Sequence, residues 1–556
     1  MSLLLLVDDD QRPDGVVLQE LTDDGHALGR VQVAQIDLAA AVAAREAGNP
    51  RWVWDDTSRR YPPLLAAGVR VQRCHDLRLS HAILRRSTLC AGSALASAPA
   101  GAWDEPRPGA PRPVAGSLFD DPRAGSPDGR TALDGEGELR RQLATVAAST
   151  APGRLRLLLA AESSGALIAA EMAHDGMPWD IAVHDRLLTD LLGGRPLAGG
   201  RPARLEALAD EVRAALDRPG LHLDSQTELL RALRSAGLDV ASTRAGELKA
   251  LEHPVVAPLL EYKKLARLLS ANGWTWMETW VHDGRFHPDY VPGGVVTGRW
   301  ATSGGGALQL PANIRGAVRA DPGWRLVVAD AAQLEPRVLA AMSADGAMAA
   351  AGRHADLYQG VVDAGIVETR QQAKYAMLGA IYGATTGASA VLMPRLTRAY
   401  PHAVGMVEAA ARAGERGEIV TTWLGRSSPP PGEAWQADRQ AALTEGADQQ
   451  DVRAARQRAR NWGRFTRNFI VQGTAAEWAL CWMASLRRRL LTVDGRPHLV
   501  SFVHDEVMVH TPAQVADQVA AAVRESADEA GRLLFGDSPV DFALDVSVVE
   551  SYDQAV

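Results

Sequence analysis

The chain opens on short apolar runs broken by acidic and glycine-rich turns. LLLLV from Leu3, GVVLQEL from Gly15 and RVQVAQI from Arg30 predict strands, and LAAAVAAREAG from Leu38 predicts a helix stopped by a glycine. Residues 1 to about 92 therefore read as a small α/β unit. From about 93 to 137 the composition shifts to Ala, Gly, Pro, Ser and Asp. Such a stretch buries too little apolar surface to offset its chain entropy, so a disordered linker or long surface loop is expected. Helical periodicity dominates from about 138 to 271, in LRRQLATVAAS, SGALIAAEMAHDG and HPVVAPLLEYKKLARLLS. A second loop is expected at residues 427–438, SSPPPGEAWQAD.

Two segments put a carboxylate where the pattern changes. WRLVVADAAQLEPRVLAAMS switches from a buried strand, Arg325 to Ala329, to a helix from Leu334, with Asp330 at the junction. Pro336 suits a first helical turn, where its missing N–H costs nothing. Taken alone, Asp330 is equally a helix N-cap. HLVSFVHDEVMVH predicts a tight hairpin of core strands with His504, Asp505 and Glu506 at its tip. Neighbouring carboxylates there repel unless a cation is close, and the alternative is a solvated acidic turn. Mg²⁺ prefers one or two carboxylates completed by substrate phosphates, which makes so sparse a set sufficient.

Between these segments, RQQAKYAMLGAIYG spaces Arg370, Lys374, Leu378 and Tyr382 four residues apart. On a helix they form one slanting stripe of roughly 18 Å, basic at one end and able to stack on a base at the other. A solvated basic face is the plainer alternative. Arg453, Arg456, Arg460, Arg464 and Arg467 recur at steps of three and four in a following helix, with Arg458 on the flank. That stripe suits a phosphate backbone as well as it suits water.

Composition adjusts this picture modestly. The 556 residues suggest two to four domains, and 46% apolar with 23% charged residues is ordinary for a soluble globular protein. A net charge of -8 does not mark a nucleic-acid binder, so any such binding needs a local basic surface. The only lysines are Lys249, Lys263, Lys264 and Lys374. Cys74, Cys90 and Cys481 form no CxxC pair, which argues against a disulfide framework and for a reducing compartment. MSLLLLVDDD reads as a first strand rather than a signal peptide, and no run approaches ~20 apolar residues, so no membrane span is expected.

In this order the segments resemble the family A DNA polymerases of the bacterial DNA polymerase I kind. DAAQLEPR from Asp330 resembles motif A, Arg370, Lys374, Tyr382 and Gly383 fill motif B, and His504 to Glu506 fill motif C. TGRW at Thr297, LQLP at Leu308 and RNFIVQGTAAEW around Gln472 extend the match over about 205 to 556. The resemblance implies an α+β multidomain chain: a right-hand polymerase preceded by an RNase H-like α/β exonuclease-type domain. Its expected parts are the exonuclease-like domain at 1–200, the thumb at 201–275, the palm at 276–345 and 468–556, and the fingers at 346–467. It implies that Asp330 and Asp505 hold two Mg²⁺ ions, with Mn²⁺ a substitute, and that Glu506 and Lys374 support catalysis. Gln333, Glu335, Arg370, Lys374, Leu378 and Tyr382 would bind the nucleotide, with Glu335 as the steric gate against ribonucleotides. Arg299, Arg464, Asn468, Gln472 and His504 would contact DNA. The implied partners are primer–template DNA and dNTPs, for a monomer in the cytoplasm near the nucleoid, engaged in replication or repair. A non-catalytic DNA-binding paralogue and a single-subunit RNA polymerase are the rivals. Intact Asp330, Lys374 and Asp505 argue against the first, and Glu335 against the second.

The N-terminal half resembles the exonuclease domain in WDDTSRRYPPLLAAGVRVQRCHDLRLSHAIL, and EMAHDGMPWDIAVHDRLL resembles the stretch leading to the thumb. Proofreading needs about four carboxylates on two metals. Residues 1–60 contain only Glu20 and Glu46 and no Asp-x-Glu, Arg60 aligns with the second motif's aspartate, and no tyrosine lies between Tyr61 and Tyr262 for the third. A degenerate domain without 3′–5′ exonuclease activity is expected, and no 5′-nuclease domain is expected ahead of it.

Three residues, at two places, depart from the family pattern. Ala331-Ala332 replaces an aromatic-Ser pair, and Leu378 stands where Phe or Tyr is usual, removing a flat ring beside the incoming sugar. Discrimination against 3′-deoxy chain terminators should therefore change in Leu378→Phe. Dideoxynucleotide termination ratios measure it, and identical ratios in both proteins would reject it.

Overall fold

The computed structural model describes residues 2–9, 11–12, 14–105, 133–196, 200–353, 356–383, 387–444 and 448–555. Most of the expected linker, residues 106–132, lies outside them, while helices Ala94–Ser97 and Gly135–Ala148 reach into its two ends. The chain divides into two compact units. One comprises Met1–Asp175, Asp289–Ser303 and Val327–Val548, and the other Gly176–Pro288, Gly304–Leu326 and Val549–Val556.

The first unit begins with a five-stranded sheet in the spatial order Ala27–Ala34, Gly15–Leu21, Leu3–Asp8, Arg51–Trp54, Cys74–Asp76. The first three strands are antiparallel, and the last two run parallel to Leu3–Asp8. The LLLL run makes the central strand because it can be sealed on both faces. Leu4 and Leu6 join Trp52, Trp54 and Leu64 on one side, and Leu3 and Leu5 join Val53, Leu77 and Leu139 on the other. This is the expected RNase H-like α/β layer. Helix Pro152–Asp175 packs against it.

A second sheet in the same unit has the order His498–Val503, Glu506–Pro512, Trp324–Ala331, Leu544–Val549. Helices Gln449–Leu490 and Ala516–Phe535 pack against each other beside it. The first of these spans 42 residues. Its N-terminal third is largely exposed, whereas the part from Phe469 onward, including Trp478 and Trp482, is almost wholly buried. The loop expected at 427–438 is only half right. Helix Glu433–Leu443 begins as soon as the prolines end, anchored by Trp435 packed against Gly417. The proline run masked that helix in the sequence.

The second unit is mainly helical, with Ile181–Leu192, Ala203–Ala215 and Val256–Asn272. A small sheet and the clustered rings of Trp179, His184, Trp276 and Phe286 fill part of its interior. No helix among the described residues is long and apolar enough to cross a membrane.

One buried network ties the RNase H-like layer to the long helix. Arg487 donates to both Glu171 oxygens, at 2.8 and 2.7 Å, and to the carbonyls of Gln72 and Val71, at 2.7 and 2.6 Å. The Tyr61 hydroxyl donates to the same carboxylate at 2.6 Å. Removing one partner of a buried pair strands the other charge. Arg487→Ala is expected to lower stability by about 3–5 kcal/mol, against about 1 kcal/mol for Tyr61→Phe. Urea unfolding of the three proteins measures the difference.

Candidate active site

The strand Trp324–Ala331 is buried from Leu326 to Ala329 and emerges at Asp330, which is partly exposed. Beside it the hairpin pairs Val503 with Glu506, leaving a two-residue turn of His504 and Asp505. The Ala331 N–H donates to the Asp505 carbonyl at 2.9 Å, which joins the strand end to that turn. Gln333 at φ 51° and His504 at φ 59° both take the left-handed conformation that non-glycine residues rarely adopt. Local strain of this kind concentrates at functional sites.

Burial, and then the Asp505 and Asp545 carboxylates, push the Asp330 carboxyl up to about 6. Asp505 is likewise pushed up to about 6, chiefly by burial. Glu335 and Glu506 add to this, while Arg299 and a backbone hydrogen bond oppose it. Among the described residues no basic side chain forms an ion pair with either carboxylate. The pair therefore suits a divalent cation, which supplies the missing positive charge. The described residues hold no cluster of three or more His, Cys, Asp or Glu that could bind metal without help. Substrate phosphates would have to complete the coordination.

Helix Arg370–Tyr382 starts at a capping box of Thr369 and Gln372 and ends at Gly383, whose φ of 69° only glycine adopts freely. Its stripe grades as expected, with Arg370 and Lys374 exposed and Leu378 and Tyr382 half-buried. Arg370 Nε donates to Asp356 at 2.5 Å, and its guanidinium lies 5.7 Å from the Tyr358 ring centre. Burial and Glu335 push the Tyr358 hydroxyl up to about 12, with Asp505 contributing, so this ring belongs to the same cleft.

Glu335 sits at the centre of a chain of polar contacts. The Tyr382 hydroxyl donates to it at 2.5 Å, and Arg299 donates to its other oxygen. Burial raises the Tyr382 hydroxyl, Glu335 raises it further, and a Gln472 hydrogen bond opposes the shift. Burial, and then Arg299, hold the His504 ring below its ordinary range. Gln333 accepts the Leu357 N–H at 2.9 Å, which fixes its amide at the edge of the cleft.

The basic helix is exposed at Arg453, Arg456, Arg460 and Arg464, and Arg464 bonds Asn461 at 2.5 Å. Arg458 is paired with Asp438. Arg467 departs from the expected stripe. It is buried, donating to the Ala380 carbonyl and to Glu408, each at 2.7 Å, because helix Pro401–Glu415 packs over that face. Asn468 is half-buried, and its Oδ1 has no hydrogen-bond partner among the described residues.

Sequence reasoning missed Tyr358, Asp356, Asp545 and Arg337. Arg337 is buried and donates to the carbonyls of Ala332, Gly352 and Asp541 at 2.6 to 2.8 Å, fixing the backbone beside Asp330. Arg337 closes the DAAQLEPR segment without a role being assigned to it, and Tyr358, Asp356 and Asp545 lie outside the motifs and are brought in by tertiary packing. Only Asp356, preceding the apolar start of helix Leu357–Asp363, carried a local signal, that of an N-cap.

A sequence profile described as DNA polymerase family A matches residues 203–554. DNA polymerase I of Chloroflexus aurantiacus is 26% identical over 365 residues, covering 60% of this chain and 36% of that protein. The thermostable DNA polymerase I of Thermus filiformis is 27% identical over 387 residues, covering 62% and 43% respectively. The chain spans less than half the length of these two relatives. The POL domain of Pol1 from M. smegmatis, in complex with DNA primer-template and dNTP, shares the fold at a TM-score of 0.67 and 17% identity, covering 100% of this chain and 95% of that one. With the profile spanning more than half of its residues, the chain belongs to DNA polymerase family A.

Proposed function

We propose that the chain is a DNA-directed DNA polymerase, extending a primer 3′-hydroxyl with dNTPs and releasing pyrophosphate, in replication or repair. The observation that carries this reading is the junction of Asp330 and Asp505, two mutually repelling carboxylates with no ion-pair partner among the described residues, linked through Glu335 to Tyr382 of helix Arg370–Tyr382. Asp330 and Asp505 would hold two Mg²⁺ or Mn²⁺ ions. When bound, such ions supply Lewis-acid charge for the attacking and leaving oxygens. Arg370 and Lys374 neutralise triphosphate charge, with Arg370 exchanging Asp356 for the substrate. Leu378 and Tyr382 face the nucleotide, Glu335 crowds the sugar 2′-carbon, and Gln333 lines the edge. Arg299, Arg464, Asn468, Gln472 and His504 hold the primer–template, and Glu506 supports the metal site. On this reading 201–275 is the thumb, 276–345 and 468–556 the palm, and 346–467 the fingers, in a monomer acting near the nucleoid.

The same reading assigns no proofreading to residues 1–200. Asp8 and Asp55, at the ends of neighbouring parallel strands, are bridged by two arginines. Arg60 bonds both at 2.7 Å, and Arg59 bonds them at 2.7 and 2.9 Å. Burial works to raise the Asp8 carboxyl, but the two guanidiniums outweigh it and hold it low. These arginines occupy the lone pairs that metal would need.

Primer extension with dNTPs and Mg²⁺ tests both assignments. The chain should extend a matched primer and leave a mismatched 3′ end uncut, and Asp505→Ala should slow extension by about a thousandfold or more. Absence of extension overturns the polymerase assignment, as would equal use of rNTPs. Mg²⁺-dependent trimming that survives in Asp505→Ala overturns the loss of proofreading.

The raised carboxyls predict a pH signature. A carboxyl at about 6 instead of its ordinary 3.8 favours the folded state in protonated form. That contribution is present in full below the unfolded value and is lost as pH rises through about 6. Without metal, Asp505→Asn should therefore raise Tm more at pH 7.5 than at pH 5. Added Mg²⁺ should stabilise the wild type at pH 7.5 and leave the variant nearly unmoved. Thermal melts at the two pH values check this.

A further inference from the structure

A buried ion pair outside the cleft lies beneath the turn that carries Arg299. Glu162, on helix Pro152–Asp175, is 1% exposed and accepts from Arg426 Nη2 at 2.7 Å. Two more polar atoms of this pair, Glu162 Oε1 and Arg426 Nε, are buried without hydrogen-bond partners among the described residues. Both abut the glycines of PGGVVTGR. A β-carbon on Gly293 would lie 2.7 Å from Glu162 Oε1, and one on Gly298 would lie 2.5 Å from Arg426 Nε. Gly298, at φ 86°, directly precedes Arg299.

The far side of Arg426 is anchored to the long helix. Its N–H donates to the Thr422 hydroxyl at 2.9 Å, and that hydroxyl donates to buried Glu477. Glu477 also accepts the Leu424 N–H at 2.9 Å. A β-carbon on Gly473, the residue after Gln472, would meet the Thr422 methyl at 2.4 Å and the Thr297 carbonyl at 3.2 Å. Backbone around Arg299 and Gln472 is thus packed onto the residues that Arg426 and Glu162 hold. On helix Pro152–Asp175, three residues after Glu162, a β-carbon on Gly165 would lie 2.7 Å from Leu480 and 3.5 Å from Trp300, whose ring is tilted against Tyr290 and edge-on to Phe502.

We propose that Glu162 and Arg426 are a positioning pair for the polymerase reaction. Helix Pro152–Asp175 supplies the carboxylate that fixes Arg426, and Arg426 sets the Gly298 turn and hence the reach of Arg299 towards the primer end. The turn leaves no space for even a β-carbon between Gly298 and the Arg426 guanidinium, so the two are closely apposed. Arg426 cannot be withdrawn without stranding the buried Glu162 charge. The pair contacts neither substrate nor metal and acts through Arg299. This inference rests on the polymerase assignment above.

A double-mutant cycle in single-nucleotide incorporation tests it. Glu162→Gln should lower kcat roughly ten- to a hundredfold through misplacement of Arg299, with KM for dNTP changed less than about threefold. Glu162→Asp, which keeps the charge, should recover part of the loss. In an Arg299→Ala background Glu162→Gln should cost less than about twofold more, because the group it positions is gone. Additive losses in the cycle would overturn the proposal by marking the pair as structural only, as would wild-type kcat in a folded Glu162→Gln protein. If Glu162→Gln does not fold, Glu162→Gln/Arg426→Gln leaves no buried charge alone and carries the same cycle. An inactive wild type would instead defeat the polymerase assignment itself.

Discussion

Holding two carboxylates together with no ion-pair partner for either among the described residues is the constraint on which the rest of this site depends. Asp330 and Asp505 repel, and burial makes the charged form of each more costly. Only a rigid frame keeps such groups from parting. Here the frame is backbone: the Ala331 N–H on the Asp505 carbonyl, two left-handed residues on either side, and Arg337 clamping three carbonyls behind them. None of these contacts neutralises the pair. The scaffold holds the carboxylates in place and leaves their charge for a ligand to satisfy.

The chain treats its other paired charges differently, and the contrast separates site from scaffold. Asp8 and Asp55 are closed by Arg59 and Arg60. Glu171 is saturated by Arg487 and Tyr61. The cations in the cleft are held more loosely. Arg370 is exposed, and an exposed pair such as Arg370 with Asp356 is worth at most about 1 kcal/mol, so a competing anion can displace it. Arg299 on Glu335 is more enclosed. Moving Arg299 away would free Glu335 from one of its two partners, which couples the placement of Arg299 to that of Tyr382.

How much of this could be read from the sequence follows from how local each feature is. The strand-to-helix switch at Asp330, the hairpin at Asp505 and the Arg370–Tyr382 stripe are set by periodicities of two and 3.6, and they stand where those periods place them. The LLLL run likewise announced a first strand, though not its central place in the sheet. Arg467 shows the limit. Its spacing matches that of the exposed arginines, yet a second helix covers it, and period alone does not reveal which face a neighbour buries. Tyr358 and Asp545 were illegible for the same reason, since each reaches the cleft by tertiary packing. Helix Glu433–Leu443 was hidden by the prolines just ahead of it.

The N-terminal layer shows the opposite solution to the same electrostatic problem. Carboxylates gathered at strand ends repel and destabilise a domain unless something neutralises them. Here guanidiniums supply that neutrality from within the layer itself, at the ends of the strands that form its core. The layer can then persist for what it supports. Its long helix sends Arg487's partner Glu171 to one end of helix Gln449–Leu490 and Arg426's partner Glu162 to the turn before Arg299. On this argument residues 1–175 bear on the rest of their unit through those two buried carboxylates, and substitutions at Asp8 or Asp55 matter only as far as they disturb the strands beneath them.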